Sequence, residues 1–203
     1  VILGILGGKE GFEPIVAAVG ILSLAIAVLF ASIRLPLPKV TGKIEIVKVM
    51  GLFRDKVLIL IAFFLFFQSS FEAIMNNWTT AYLLDYMGTS RELSLYGLSL
   101  FVTGMVIMRL ITGTILRNIP AKRILIASFI FVFTGLISIK SGISAVVALC
   151  GFMLTGAGLA GGFPVMLGLV GDRYASISGT AFSFVLTVAL MGNMIINYMM
   201  GII

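Results

Sequence analysis

The sequence predicts an all-α fold, a polytopic bundle of transmembrane helices, and three observations carry that prediction. Hydrophobic residues make up 60% of the 203 and charged residues 11%, outside the range of a soluble domain, which cannot hide so much apolar surface. The apolar residues fall in blocks of about 20 or more, the length a helix needs to cross a hydrocarbon layer roughly 30 Å thick. The basic residues behind the net charge of +6 sit in short segments between those blocks, as orientation signals do. A lipid bilayer is therefore an expected partner and nucleic acid is not.

The elements follow in order. Val1 to Gly8 reads as the tail of an earlier span. A first clear span runs from about Pro14, well placed at a helix start, to Ile33, and Arg34 with Pro36 and Pro38 closes it. From Lys39 to Lys56 basic and apolar residues alternate, which predicts a surface linker with a short amphipathic helix. The second span covers about Val57 to Tyr86, longer than a perpendicular crossing needs, so it tilts, bends or projects. The third runs from Leu93 to Leu116, the fourth from Ile124 to Ile139, the fifth from Ser144 to Gly171, and a sixth candidate from Gly179 to the chain end. Five are counted as secure, since the sixth has no closing loop. Gly104 and Gly192, Ile107 and Ile195, and Gly113 and Gly201 align at an offset of 88 residues, a weak repeat.

Ten basic residues share the face of the linker: Arg34, Lys39, Lys43, Lys48, Arg54, Lys56, Arg117, Lys122, Arg123 and Arg173. Lys9, Arg91 and Lys140 fall opposite, and Arg109 lies near the end of a span. The bias makes the linker cytoplasmic and sends the second span outward. The chain begins with Val1 and has no cleaved-signal layout, so it reads as a fragment. One cysteine, Cys150, and no histidine exclude an intrachain disulfide and Cys/His metal chemistry. With no triad, metal cluster or phosphate loop, neither a cofactor nor an enzymatic activity is expected.

Glu72 carries the most chemistry. It lies midway along the second span, where an ionised carboxylate facing lipid costs several kcal/mol, so it must face protein or water, or hold a proton. Gln68 and Asn76 stand four residues to either side and Thr79 seven beyond, all within about 40° of its direction on a helix. Ser69, Tyr82 and Tyr86 widen that polar stripe, which suits a hydrated cavity for a polyhydroxylated or similarly polar solute. The alternative is a structural carboxyl bonded to a neighbouring helix. Trp78, in the outer half of the span, either stacks on a sugar ring or anchors at the interface.

Gly156, Gly158 and Gly161 form a GxGxxG pattern, but it lies inside an apolar helix without the preceding strand a dinucleotide site requires. With Gly162 and Pro164 it predicts close helix packing and a bend that frees backbone groups toward a cavity. Asn193 and Asn197, four apart, face the cavity or another helix. Arg109, Asp172 and Arg173, at span ends, are candidates for gating ion pairs or for ordinary snorkelling.

The run Gly104, Arg109, Gly113, Arg117, Lys122 and Arg123 resembles the basic loop between the eighth and ninth helices of the major facilitator superfamily. The linker before Val57 resembles its central loop, and the GxGxxGGxP stretch ending at Pro164 completes the likeness. The resemblance implies a partial major facilitator fold, from the sixth to the eleventh of twelve helices. Residues 1–35 then end an amino-terminal half, 36–56 form the central cytoplasmic linker, and 57–203 form a carboxy-terminal bundle without its last helix. An embedded carboxyl or amide followed by Trp and Tyr is similar to the seventh helix of sugar:cation symporters of the fucose:proton type, with Glu72, Trp78 and Tyr82 in those roles. The expected function is secondary transport of a small polar solute, with a proton or sodium as coupling cation, in the cell membrane. Glu72 is the coupling candidate. Substrate contacts are expected from Gln68, Glu72, Asn76, Trp78, Thr79, Tyr82, Pro164, Asn193 and Asn197, and the missing amino-terminal half is an expected partner. The rival is a scaffold or receptor-like bundle whose polar groups only hold helices together.

Overall fold

The computed structural model describes residues 13–33, 51–52, 54–114 and 119–202. Among them there is no strand, as a bilayer demands of an open chain: only helices satisfy every backbone donor and acceptor within one segment. The predicted tail at Val1 to Gly8 and most of the linker lie outside the described residues. The chain divides into two compact units, Val1–Gly42 and Lys43–Ile203. The first contains helix α1, Glu13–Ser32, in which the Ser23 and Ser32 hydroxyls donate to the Val19 and Val28 carbonyls at 2.8 and 2.9 Å.

The second unit contains α2 (Lys56–Ala81), which runs into a π-helical turn over Tyr82–Tyr86, α3 (Arg91–Thr114), α4 (Ala121–Lys140), α5 (Ala145–Leu159), α6 (Gly162–Arg173) and α7 (Ser178–Met200). Asp55 caps α2 by accepting from the Val57 amide at 2.8 Å, and Ser144 caps α5 through the Val147 amide at 3.3 Å, each satisfying an otherwise orphaned donor. Gly88 and Gly142, both at φ 62°, turn the chain after α2 and α4 in the left-handed region that side chains disfavour. Within the spans, hydroxyls donate to carbonyls one turn back, as Ser70 does to Phe66 at 2.6 Å and Thr155 to Gly151 at 2.8 Å, so they enter the membrane already satisfied.

Among the described residues five helical segments are long and apolar enough to cross a bilayer: Lys56–Tyr86, Arg91–Thr114, Ala121–Lys140, Ala145–Arg173 and Ala175–Met200. The membership differs from the five expected. The last helix, left open in the sequence for want of a closing loop, is among them, whereas the apolar stretch of α1, Val16–Ser32, is shorter. The fifth span is interrupted at Ala160 and Gly161, one turn before Pro164. A proline ring clashes with the carbonyl four residues earlier and supplies no donor to it, and that carbonyl belongs to Ala160.

α2 is the shared spine of two cores. Near its start Leu58, Ile61 and Leu65 pack with Val170 of α6 and Ala181 and Val185 of α7. Further along, Met75 and Leu83 pack with Phe101, Ile139, Ala148 and Phe152 from α3, α4 and α5. Close crossings rest on glycine. Gly156 of α5 lies against the Phe101 carbonyl of α3, and Gly104 of α3 against the Met153 carbonyl of α5. Gly192 of α7 would place a β-carbon 2.6 Å from the Phe66 carbonyl of α2. Of the glycines that align in the weak sequence repeat, Gly104 and Gly192 thus make equivalent contacts, and Phe66 and Met153 fall within one residue of the same offset.

Candidate functional site

Among the described residues two charges lie inside the spans rather than at their ends, Glu72 on α2 and Arg109 on α3. They meet: Arg109 Nη2 stands 3.5 Å from Glu72 Oε1, with the side chains 44% and 23% exposed. A lone intramembrane charge is costly and two of opposite sign offset that cost by pairing. Arg109, grouped from sequence with the gating candidates, is therefore found at Glu72.

The pair opens into a cavity of about 530 Å³ lined by Ser69, Glu72, Ala73 and Asn76 of α2, Arg109 of α3, Phe163, Pro164 and Leu167 of α6, and Asn193 of α7. Four helices contribute, and α6 does so because the break before Pro164 starts a new helix there. At about 100° per residue the four α2 positions span an arc of roughly 100°, centred on the Ser69 and Ala73 side of Glu72. Gln68 and Thr79 lie on the other side of Glu72 from that arc, and neither lines the cavity.

Gln68 is buried and its Nε2 donates to the Leu159 carbonyl at 2.8 Å. Its amide lies against Gly162, where a β-carbon would collide with Oε1. The side chain thus satisfies a carbonyl at the helix interruption from across the interface. Gly162→Ala is accordingly expected to displace Gln68 and strand the Leu159 carbonyl, at a cost of about 1–3 kcal/mol. In a double-mutant cycle, thermal unfolding of Gly162→Ala with Gln68→Ala should lie above the sum of the single losses; strict additivity would refute the coupling.

The other candidates are placed as follows. Thr79 is buried and donates to the Met75 carbonyl at 2.5 Å. Tyr82 stacks on Tyr86 at 5.1 Å, meets Phe152 edge-on at 6.3 Å, and donates to the Ile139 carbonyl at 3.4 Å. Trp78 is half-buried on α2 and does not line the cavity. Asn197 accepts from Asn77 Nδ2 at 3.0 Å and donates to the Asn193 carbonyl at 2.8 Å, so Asn193 faces the cavity while Asn197 ties α7 to α2. Asn76 donates to the Glu72 carbonyl at 2.8 Å.

Arg173 joins the start of α2 instead of Arg109: its Nη2 is 3.9 Å from Asp55 Oδ2, and its Nε donates to the Tyr174 hydroxyl at 3.3 Å. The Tyr174 hydroxyl, with the Val57 and Leu58 amides and Arg173, holds the Asp55 carboxyl below its usual range, while burial and then Asp55 push the Tyr174 phenol up. Asp172 and Arg173 help to line an apolar recess of about 920 Å³ between α2 and α6.

The pairing of Arg109, a gating candidate from sequence, with Glu72 had a usable signal, since an interior carboxylate calls for an interior cation and α3 offers one. Asn77 escaped the sequence reading and had only its place beside Asn76. A family model described as Major Facilitator Superfamily matches residues 1–197. No curated protein and no solved structure matches the chain significantly.

Proposed function

The chain belongs to the major facilitator superfamily, and from that premise we propose that it moves a small polar solute, with a sugar as the first class to try, by alternating access coupled to protons or sodium. It is of the membrane-transporter kind, an integral multi-pass protein, and its family is one of transporters rather than enzymes.

The supporting observation is the cavity itself. The intramembrane pair Glu72 and Arg109 stands beside Ser69, Asn76 and Asn193, within a wall otherwise formed by Ala73, Phe163, Pro164 and Leu167. A few convergent polar groups on an apolar wall are what orient a small ligand. In this reading Ser69, Asn76 and Asn193 meet solute hydroxyls, and Glu72 binds the coupling cation. The fucose:proton symporter type supplies the pattern of a carboxyl-centred sugar site. Trp78 and Tyr82 line no part of the cavity and are left out of its contacts. The linker at 36–56 is cytoplasmic in this scheme, and the cell membrane is the proposed location.

A transport cavity must be wet, whereas a scaffold of the same residues would be dry and paired. Asn76→Cys in a Cys150→Ala background is expected to react with a membrane-impermeant methanethiosulfonate, because Asn76 lines the cavity and Cys150, which is exposed, no longer competes. An unreactive cysteine at position 76 in the folded full-length protein would favour the scaffold.

A further inference from the structure

We propose that the solute carries a carboxylate beside its hydroxyls, as a sugar acid does, and that on binding this group takes Arg109 from Glu72. The inference rests on the cavity being a transport site and names its substrate class. The contact between Arg109 and Glu72 is single and long, 3.5 Å from Nη2 to Oε1. A matched guanidinium and carboxylate instead make two parallel bonds of about 2.7–2.9 Å. The guanidinium has five N–H donors, and the contact with Glu72 is its one hydrogen bond among the described residues. Its side chain is also the more exposed of the two. The site therefore presents a cation with donors to spare in the cavity wall.

A neutral sugar would use Ser69, Asn76 and Asn193 and leave the pair as it stands. A cationic solute would meet Arg109 as a like charge. A sugar acid uses both features, with its hydroxyls on the amides and Ser69 and its carboxylate in the guanidinium fork. The apolar wall of Phe163, Pro164 and Leu167 lowers the local dielectric on one side of that pair, which strengthens the attraction.

The exchange also supplies a coupling step. Arg109 is the charged group facing Glu72 from α3; α6 contributes Phe163, Pro164 and Leu167, and α7 contributes Asn193, none of which titrates. Once the solute carboxylate occupies Arg109, Glu72 has no cation beside it among the described residues and takes a proton from the aqueous phase onto a carboxyl oxygen. The solute remains ionised, so one anion and one proton enter together.

The test uses the full-length protein, with D-gluconate, D-glucuronate and D-glucose as probes and ligand-induced thermal stabilisation as readout. Gluconate or glucuronate should bind at least tenfold more tightly than glucose, and Arg109→Gln should lose roughly tenfold or more of that affinity. Glu72→Gln should bind the sugar acid more tightly at pH 8, by about tenfold, since the competing carboxylate is gone. Its affinity should also no longer vary with pH, a change that a purely structural role would not produce. Should Arg109→Gln fail to fold, the double variant Arg109→Gln with Glu72→Gln leaves no unpaired charge and should fold without sugar-acid affinity. Equal binding of glucose and gluconate, or no binding of either sugar acid, overturns the inference. The polar-solute reading survives those results, because it falls instead on an unreactive cysteine at position 76.

Discussion

A Gly156→Leu variant is expected to lose the folded bundle. Gly156 lies where α5 crosses α3, and a β-carbon there would collide with the Phe101 carbonyl. The obstacle is backbone, so it cannot turn aside as the tip of a flexible side chain can. Gly104 meets the Met153 carbonyl in the same crossing, so both helices are held at backbone contact. Ordinary overpacking costs about 1–3 kcal/mol. Separating two backbones costs at least the upper end of that range, a large share of a typical total of about 5–15 kcal/mol. The expected result in detergent is a fall in the unfolding transition of about 10 °C or more, or aggregation without a transition. Gly168→Leu is the control, because nothing lies within 4 Å of a β-carbon there and leucine favours the helix more than glycine does. Equal melting of Gly156→Leu and the unsubstituted protein would mean that α3 and α5 do not cross at this point.

The second large effect is expected from Glu72→Gln in proteoliposomes of the full-length protein. The substitution preserves size and hydrogen bonding and removes titration. With the outside one pH unit more acidic, a one-proton symporter can hold about a tenfold solute gradient, because one pH unit is worth 1.36 kcal/mol. Glu72→Gln should lower that accumulation to simple equilibration while exchange of labelled for unlabelled solute continues. A sodium gradient imposed at equal pH separates the two coupling cations in the same vesicles. A fall in apparent affinity in both modes would make Glu72 a solute ligand without a coupling role. Unchanged accumulation, exchange and affinity would leave it as the structural partner of Arg109.

Several features were legible in the sequence because they depend on residues close together along the chain. The spans from Val57 onward appear in the structure within a few residues of their expected bounds, since block length and closing charges are set by the bilayer. The interruption of the fifth span follows from Pro164 and its own preceding turn, and the packing role of Gly156 and Gly158 follows from the absence of a side chain. Glu72 stood out because an interior carboxylate is expensive wherever its helix points.

What only the tertiary structure decided is rotation. The 100° step fixes the angles among Gln68, Ser69, Glu72, Asn76 and Thr79, but nothing in α2 alone says which direction meets a neighbour. In a soluble helix the apolar stripe would supply that reference. Here leucine and phenylalanine suit lipid and protein interior alike, so hydrophobicity does not separate inward from outward faces. Packing directs Gln68 to the helix break and buries Thr79, and it brings Ser69 to the cavity, Asn77 to Asn197 and Arg109 to Glu72. Each of these meetings depends on how whole helices turn against one another, and the sequence of a single helix in a bilayer does not encode that angle.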